Sequence, residues 1–538
     1  MKLANLSSLA LAVGAVSGHG TKGSGFNSNL TVRTSTGTYT GIIDPDYPNT
    51  LQFRSIPFAE PPVLSRRWLP PQKLSSPPTE HHYTTRFPPS CPQFVSAIPM
   101  FYNINLTKGN TIYNGYQNDS SGLVGEATSE DCLYLAVWTP TAAVPRTNVS
   151  LPVLFFITGG GFIIGGVDIP WQMPTSWVER SQSHIVVTIN YRLNIFGFPN
   201  ARGLEQQNLG ILDQRAALEW VRDNIAAFGG DPKRITQMGR SAGAVSTDIH
   251  AYAFHEDPIA QAHYLQSGTV FGAAVPPKDP EFSNFTFVAR HVGCEAPSGS
   301  DEDEDGAAEL DCMRRVPFTM IENFIGQYGD RRETPLLSFK MVPDDSIVFT
   351  NYTARAEAGL IARVPVIISN TANEASAGTW PPQNLTEGPY QPTITALDLA
   401  VMVCPTFNST VYRNRLGIPV FRWQHAGTFP NLNVYKWLGA YHASDIPITF
   451  GTYRLLDDIA NTTRFEIDVS ESMQDHLLAF VKDPLHGPQE IGWNPMVVSD
   501  PHGGDLIRFG SNGIVSQRVD GVEVDGACQG IGEYDPFP

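Results

Sequence analysis

The sequence predicts an α/β protein, with a mostly parallel central sheet flanked by helices. Three observations carry that prediction: short runs of branched apolar residues, turn residues that bound each run, and an amphipathic segment between two of them. The runs are LPVLFFI (151–157), HIVVTIN (184–190), RITQM (234–238) and VPVIIS (364–369). Most are apolar at successive positions rather than alternate ones, the pattern of strands buried on both faces. Between the second and third, LDQRAALEWVRDNIAAFGG (212–230) sets Leu212, Ala216, Trp220, Val221, Ile225 and Phe228 on one side of a helix. Two glycines then stop it. Strand, helix, strand is the crossover unit of a parallel sheet.

Composition fits one large folded unit. The 538 residues are 41% hydrophobic and 17% charged, well inside the range of globular proteins. From about residue 26 onward there is no repeat, linker or shift of composition, so residues 19–538 read as a single domain. A net charge of -17 with no Lys/Arg cluster excludes nucleic acid as a partner, because a phosphate backbone needs a basic face. The acidic stretch SGSDEDEDGAAELDC (298–312) reads as a solvated surface loop.

The first residues, MKLANLSSLALAVGAVSGHG, combine Lys2, an apolar stretch from Leu3 to Val16 and small residues at Ser17 and Gly18. That is the pattern of a secretory signal peptide, 1–18, and it predicts a secreted or lumenal protein. No later stretch reads as a bilayer span and the tail GEYDPFP is no lipid-anchor signal, so no stable membrane anchor is expected. Six cysteines (Cys91, Cys132, Cys294, Cys312, Cys404, Cys528) without C-x-x-C spacing favour three disulfides over a metal site. Sequons at Asn29, Asn105, Asn118, Asn148, Asn284, Asn351, Asn384, Asn408 and Asn461 predict a glycoprotein.

The chemistry centres on MGRSAGA (238–244). Ser241 follows the strand RITQM and precedes AGAVSTDIHAYAF, which continues as a helix. A serine on such a strand-to-helix turn is held in a strained conformation, and the turn closes only if the residues two before and two after lack bulk. Gly239 and Gly243 meet that condition. A serine nucleophile needs a base for its proton, and the oxyanion formed on attack needs fixed N–H donors. The N–H of Ala242, at the new helix's start, is one donor. TGGGF (158–162), directly after the strand LPVLFFI, offers Gly160 and Gly161 as the others.

With these residues in hand the chain resembles the type-B carboxylesterase family, which includes carboxylesterases, cholinesterases and fungal lipases. The motifs are IPFAEPP (56–62), RRWLPP (66–71), EDCLYLAVWTP (130–140), TGGGF, NYRLNIFGF (190–198), NLGILDQRAALEWVRDNIAAFGGDP (208–232), GRSAG and LQSG (265–268), in that order over nearly the whole chain. The resemblance implies an α/β-hydrolase fold with long insertions and a triad in the order Ser, Glu, His. The acid falls in SNTANEASAG at Glu374, and the histidine in GAYHASDIPITFG at His442, with His425 as the rival. It further implies a secreted carboxylic ester hydrolase that needs neither metal nor organic cofactor and takes a small-molecule or lipid ester. An acyltransferase, a lipase and a non-catalytic binding protein are the alternative readings. Disulfides Cys91–Cys132 and Cys294–Cys312 match two loops common in the family, which leaves Cys404 with Cys528. In related lipases the first of these loops forms a lid; here it contains FVSAIPMFYNINLTKG (94–109).

Three positions depart from the family pattern. Arg240 stands where Glu usually precedes the nucleophile, which predicts poor choline-like substrates and a preference for esters carrying a carboxylate or phenolate. Thr158 replaces a larger residue before the glycines, and Asp445 replaces the Glu common three residues after the histidine.

Overall fold

The computed structural model describes residues 30–75, 79–96, 98, 128–144, 150–272, 279–294, 306–378, 382 and 384–538. The leader, Asn29, Asn105, Asn118, Asn148, most of the 94–109 segment and residues 298–305 therefore lie outside the described residues.

The fourteen strands among the described residues form two sheets. A small one joins β1 (Thr31–Arg33), β2 (Thr38–Thr40) and β5 (His81–Tyr83). The large one contains β3 (Ile42–Ile43), β4 (Thr50–Pro57), β6 (Tyr134–Pro140), β7 (Leu151–Ile157), β8 (Ile185–Ile189) and β9 (Gly230–Arg240). It continues with β10 (Ala262–Gln266), β11 (Val366–Thr371), β12 (Val420–His425), β13 (Asp505–Phe509) and β14 (Ser516–Asp520). Its order is 14-13-12-11-10-9-7-8-6-4-3. From β8 through β13 neighbouring strands run parallel, and antiparallel strands close both edges. This is the mostly parallel α/β-hydrolase sheet that the sequence predicts.

The apolar strands are buried on both faces because each face carries its own core. Along β7, Val153, Phe155 and Ile157 join one core with Leu218, Trp220 and Phe228, while Leu154 and Phe156 join the other with Trp138, Trp177 and Trp423. Successive side chains point to opposite faces, so an unbroken apolar run is what a two-sided core demands.

The crossover helix starts earlier than the apolar pattern suggests, at Leu209, and runs to Asn224 before a tight turn over Ile225–Phe228. Trp220, Val221, Ile225 and Phe228 are buried as expected, and the departure is confined to the first turns. Leu212 and Ala216 are only partly buried, whereas Asp213 and Gln214 point inward. Asp213 is tolerated there because Arg192 meets both its oxygens, at 2.8 and 2.7 Å. Gln214 donates to Ser246 Oγ at 3.0 Å.

A second difference concerns residues 391–415, a continuous helical run long and apolar enough by composition to cross a membrane. This corrects the expectation that no stretch after the leader has that character. In this fold less than half of its apolar window is buried: Val403 is fully buried and Cys404 is bonded to Cys528, while Leu397 and Val401 are exposed. Its buried Arg413 pairs with Asp248 at 2.5 Å.

The remaining disulfides join Cys91 to Cys132 and Cys294 to Cys312. For separations of 41, 18 and 124 residues, loop-closure entropy gives about 4, 3 and 5 kcal/mol of stabilisation respectively.

Candidate active site

Open parallel sheets bind ligands beyond the carboxyl ends of their strands, where the strand order reverses. Here β7 connects to β8 on one side, and the chain then returns to β9 on the other side of β7. The ends of β7 and β9 are in register, Ile157 opposite Gly239, so the TGGGF turn and the GRSAG turn emerge side by side.

Ser241 occupies the sharp turn between β9 and the helix Ala242–Ala253, with φ 55° and ψ -121°. A non-glycine residue in that region stores about 1–3 kcal/mol of strain. The turn is held by close backbone contact. A Cβ on Gly239 would sit 1.9 Å from Gly243 O, and one on Gly243 would sit 2.1 Å from Ile157 O. The Ser241 N–H donates to Gln266 O at 2.8 Å, tying the turn to β10.

His442 and Glu374 reach this serine from two loops further along the chain. His442 Nε2 lies 2.9 Å from Ser241 Oγ, and His442 Nδ1 lies 2.6 Å from Glu374 Oε2. Glu374 also accepts from Ser267 Oγ and from the Thr371 N–H, each at 2.6 Å. Burial alone would raise its pKa, but the His442 charge and hydrogen bond, with Ser267 and Thr371, outweigh burial and hold the carboxyl below its ordinary range. The two loops are laced together: His442 N–H donates to Glu374 O, Asn373 N–H to Ala440 O, and Ser376 Oγ–H to Leu438 O.

The rival His425 is fully buried at the end of β12, and burial lowers its pKa to about 3. It makes no hydrogen bond to Ser241 among the described residues.

Gly160 (φ 114°) and Gly161 (φ 65°) turn the chain beside Ser241. Among the described residues no acceptor takes the N–H of Gly160, Gly161 or Ala242, so all three are free to donate. Thr158 is buried and bonds to Gln172 at 3.0 Å, so its side chain is committed to the protein.

Two further carboxyls sit behind the triad. Asp445 is buried and accepts from Gln266 Nε2 at 2.7 Å; burial, then the Glu374 charge, raise its pKa to about 7. Burial likewise raises Asp398 to about 8, although it accepts the Ala375 N–H at 2.6 Å. Arg240 is partly buried, lies against Gly159, and its charge works to lower the Asp445 pKa.

The cavity at Ser241 has a volume of about 190 Å³ and is lined by Gly161, Phe162, Ala242, Val245, Ser267, Thr269, Lys340, Met341, Val401 and Met402, among others. A larger cavity of about 500 Å³, near Phe429, Lys436 and Phe465, contains no member of the triad. Among the described residues no cluster of His, Cys, Asp or Glu is arranged to hold a metal ion.

The structure thus brings Ser241, Glu374, His442, Gly160, Gly161 and Ala242 together. Sequence reasoning assigned no role to Ser267, Asp398 or Lys340. LQSG was legible as a motif, but nothing local says that its serine turns toward an acid 107 residues away. Of the sequons in described residues, Asn351, Asn384, Asn408 and Asn461 are exposed and Asn284 is partly so.

A model of the Carboxylesterase family matches residues 28–381, which include Ser241 and Glu374 and stop before His442. The chain is similar to a chlorogenic acid esterase of Aspergillus niger, 37% identical over 512 residues that cover 93% of this chain and 94% of that protein. Secreted lipase 5 of Gibberella zeae is 34% identical, with 93% and 94% covered. An acetylcholinesterase of Electrophorus electricus is 33% identical over 64% of this chain and 52% of that protein.

Proposed function

We propose that this chain, which belongs to the carboxylesterase family and is a carboxylic ester hydrolase, works through an acyl-enzyme formed on Ser241. The observation that carries this reading is the unbroken line from Ser241 Oγ through the His442 ring to the buried Glu374 carboxylate.

His442 Nε2 takes the hydroxyl proton as Ser241 Oγ attacks the ester carbonyl carbon. The carbonyl oxygen becomes an oxyanion and rests on the N–H groups of Gly160, Gly161 and Ala242. Losing one such donor costs about 3–4 kcal/mol of transition-state stabilisation. Glu374 fixes the imidazole with Nδ1–H toward the carboxylate and stabilises the imidazolium. His442 then gives its proton to the departing alcohol, and the carbonyl re-forms as the acyl-enzyme. Water enters, His442 takes its proton, and the acid leaves as Ser241 recovers its own.

The enzyme is secreted after removal of residues 1–18 and carries glycans on its exposed sequons. Three disulfides and the likeness to a secreted lipase support that compartment. Its substrates are small esters, a class to which the relative named for chlorogenic acid points. The mainly apolar wall of Phe162, Val245, Met341, Val401 and Met402 favours a second reading, a lipase.

The test is turnover of 4-nitrophenyl esters of graded chain length, in water and at an emulsion interface, with an acceptor alcohol present or absent. An esterase releases free acid from dispersed short esters and loses that activity in Ser241→Ala. Activity that appears only at the interface would instead support a lipase, and ester products with the acceptor would support acyl transfer. Turnover unchanged in Ser241→Ala overturns the nucleophile assignment.

A further inference from the structure

The cavity beside Ser241 has an asymmetry that the hydrolytic mechanism leaves unused. Its lining includes the nucleophile and the oxyanion donors Gly161 and Ala242, but not His442. In the tetrahedral intermediate the departing alcohol must lie against His442, which protonates it. The oxyanion takes the N–H groups. The remaining substituent, the acyl chain, is the one that fills this cavity.

Among the described residues the cavity wall carries one charged side chain, Lys340. The residues on either side anchor it: Phe339 and Met341 are buried, with 4% and 3% of their surface exposed, while Lys340 itself is open to solvent. No carboxylate among the described residues lies within ion-pairing distance of its ammonium. The rest of the described lining is apolar or weakly polar, Met341, Val401, Met402 and Thr269 included. A cation with no carboxylate partner among the described residues, at the edge of an apolar acyl site, gains most from an anion delivered to it, since neither charge then has to give up an existing partner.

We propose that Lys340 is a specificity-determining residue that selects acyl groups bearing a carboxylate at the end remote from the ester. The proposal rests on the assignment of Ser241 and His442 above. It also relocates the charge selectivity that the sequence attached to Arg240. The Arg240 backbone and Cδ lie against Gly159, its charge acts on Asp445, and Arg240 is not part of the described cavity wall.

Three methyl esters with matched chains test it: methyl hexanoate, monomethyl adipate and methyl 6-aminohexanoate, neutral, anionic and cationic at the far end. The quantity read is kcat/KM for each charged ester divided by that for the neutral one, in the parent, Lys340→Met and Lys340→Glu. The adipate ratio is expected to fall roughly two- to fivefold in Lys340→Met, the range of an exposed charge pair, and further in Lys340→Glu. The aminohexanoate ratio is expected to rise in Lys340→Glu, a reversal that a merely structural lysine would not give. Ratios that stay equal across the three proteins, with methyl hexanoate still turned over, overturn the role of Lys340 alone. Absence of turnover of every ester by the folded parent overturns the Ser241 reading and this proposal with it.

Discussion

The two halves of the candidate site are held by different physics. Ser241 and its oxyanion donors are fixed by hard contacts within and between neighbouring turns, where a single Cβ on Gly239 would meet Gly243 O at 1.9 Å. Glu374 and His442 are fixed by buried hydrogen bonds that join distant segments: Glu374 accepts from Ser267 and from the nearby Thr371 N–H, the loops of Glu374 and His442 are bonded through Asn373 and Ala440, and Gln266 holds Asp445 just beyond His442. Steric fixing is local and admits one residue type, so it leaves a motif. Polar fixing works through partners scattered along the chain, and any of several residue types could supply each one.

The sharpest way to break the steric half is Gly239→Ala. The new methyl meets backbone, not a flexible side chain, and the loss is expected to exceed about 4 kcal/mol, read as a collapse of soluble yield and Tm. Gly161→Ala makes the contrast, because its Cβ would find nothing closer than 3.7 Å and only the φ of 65° is unfavourable. About 1–2 kcal/mol is expected there. Equal losses in the two variants would contradict the packing account of the elbow.

In the polar half, Glu374→Gln should lower kcat by about 10⁴-fold while leaving the fold intact, because a neutral amide neither fixes the imidazole tautomer nor stabilises the imidazolium. Circular dichroism and Tm check the fold; a loss under tenfold would contradict the role of Glu374.

Asp445→Asn probes the carboxyl behind the triad. The folded protein holds this proton up to about pH 7, whereas the unfolded chain releases it near the ordinary value of 3.8. The unfolded state therefore binds fewer protons between these values, and stability falls as pH rises through that window. The asparagine variant should match the parent below the window and gain on it by up to a few kcal/mol by neutral pH, since its amide oxygen still accepts from Gln266. A difference in Tm that does not change with pH would contradict this.

Ser267→Ala should have the mildest effect. Glu374 keeps its bonds to His442 and Thr371 after losing the hydroxyl, so kcat should fall about tenfold, the equivalent of one charge-assisted hydrogen bond. The fall should accompany an altered pH dependence of kcat/KM, because the carboxylate that faces His442 loses part of its stabilisation.

The same division explains what could be read from the sequence. The four apolar runs became strands of a two-faced sheet, and the GRSAG turn closed as its glycines require. The start of the helix Leu209–Asn224 and the facing of its first turns depart from the apolar pattern because Asp213 and Gln214 are buried with partners from elsewhere, Arg192 and Ser246, that no periodicity records. Glu374 and His442 were found through family resemblance and chain order. Lys340 carries no local signal, since an exposed lysine near two buried residues looks like ordinary surface until a cavity wall forms around it.

The most direct test of the central claim is mass spectrometry of the purified secreted protein after reaction with an organophosphonate ester probe. The account predicts one adduct per chain, on the peptide holding Ser241, formed in step with loss of ester turnover and absent from Ser241→Ala. A folded, active protein that stays unlabelled, or is labelled at another residue while Ser241→Ala still turns over esters, would contradict it.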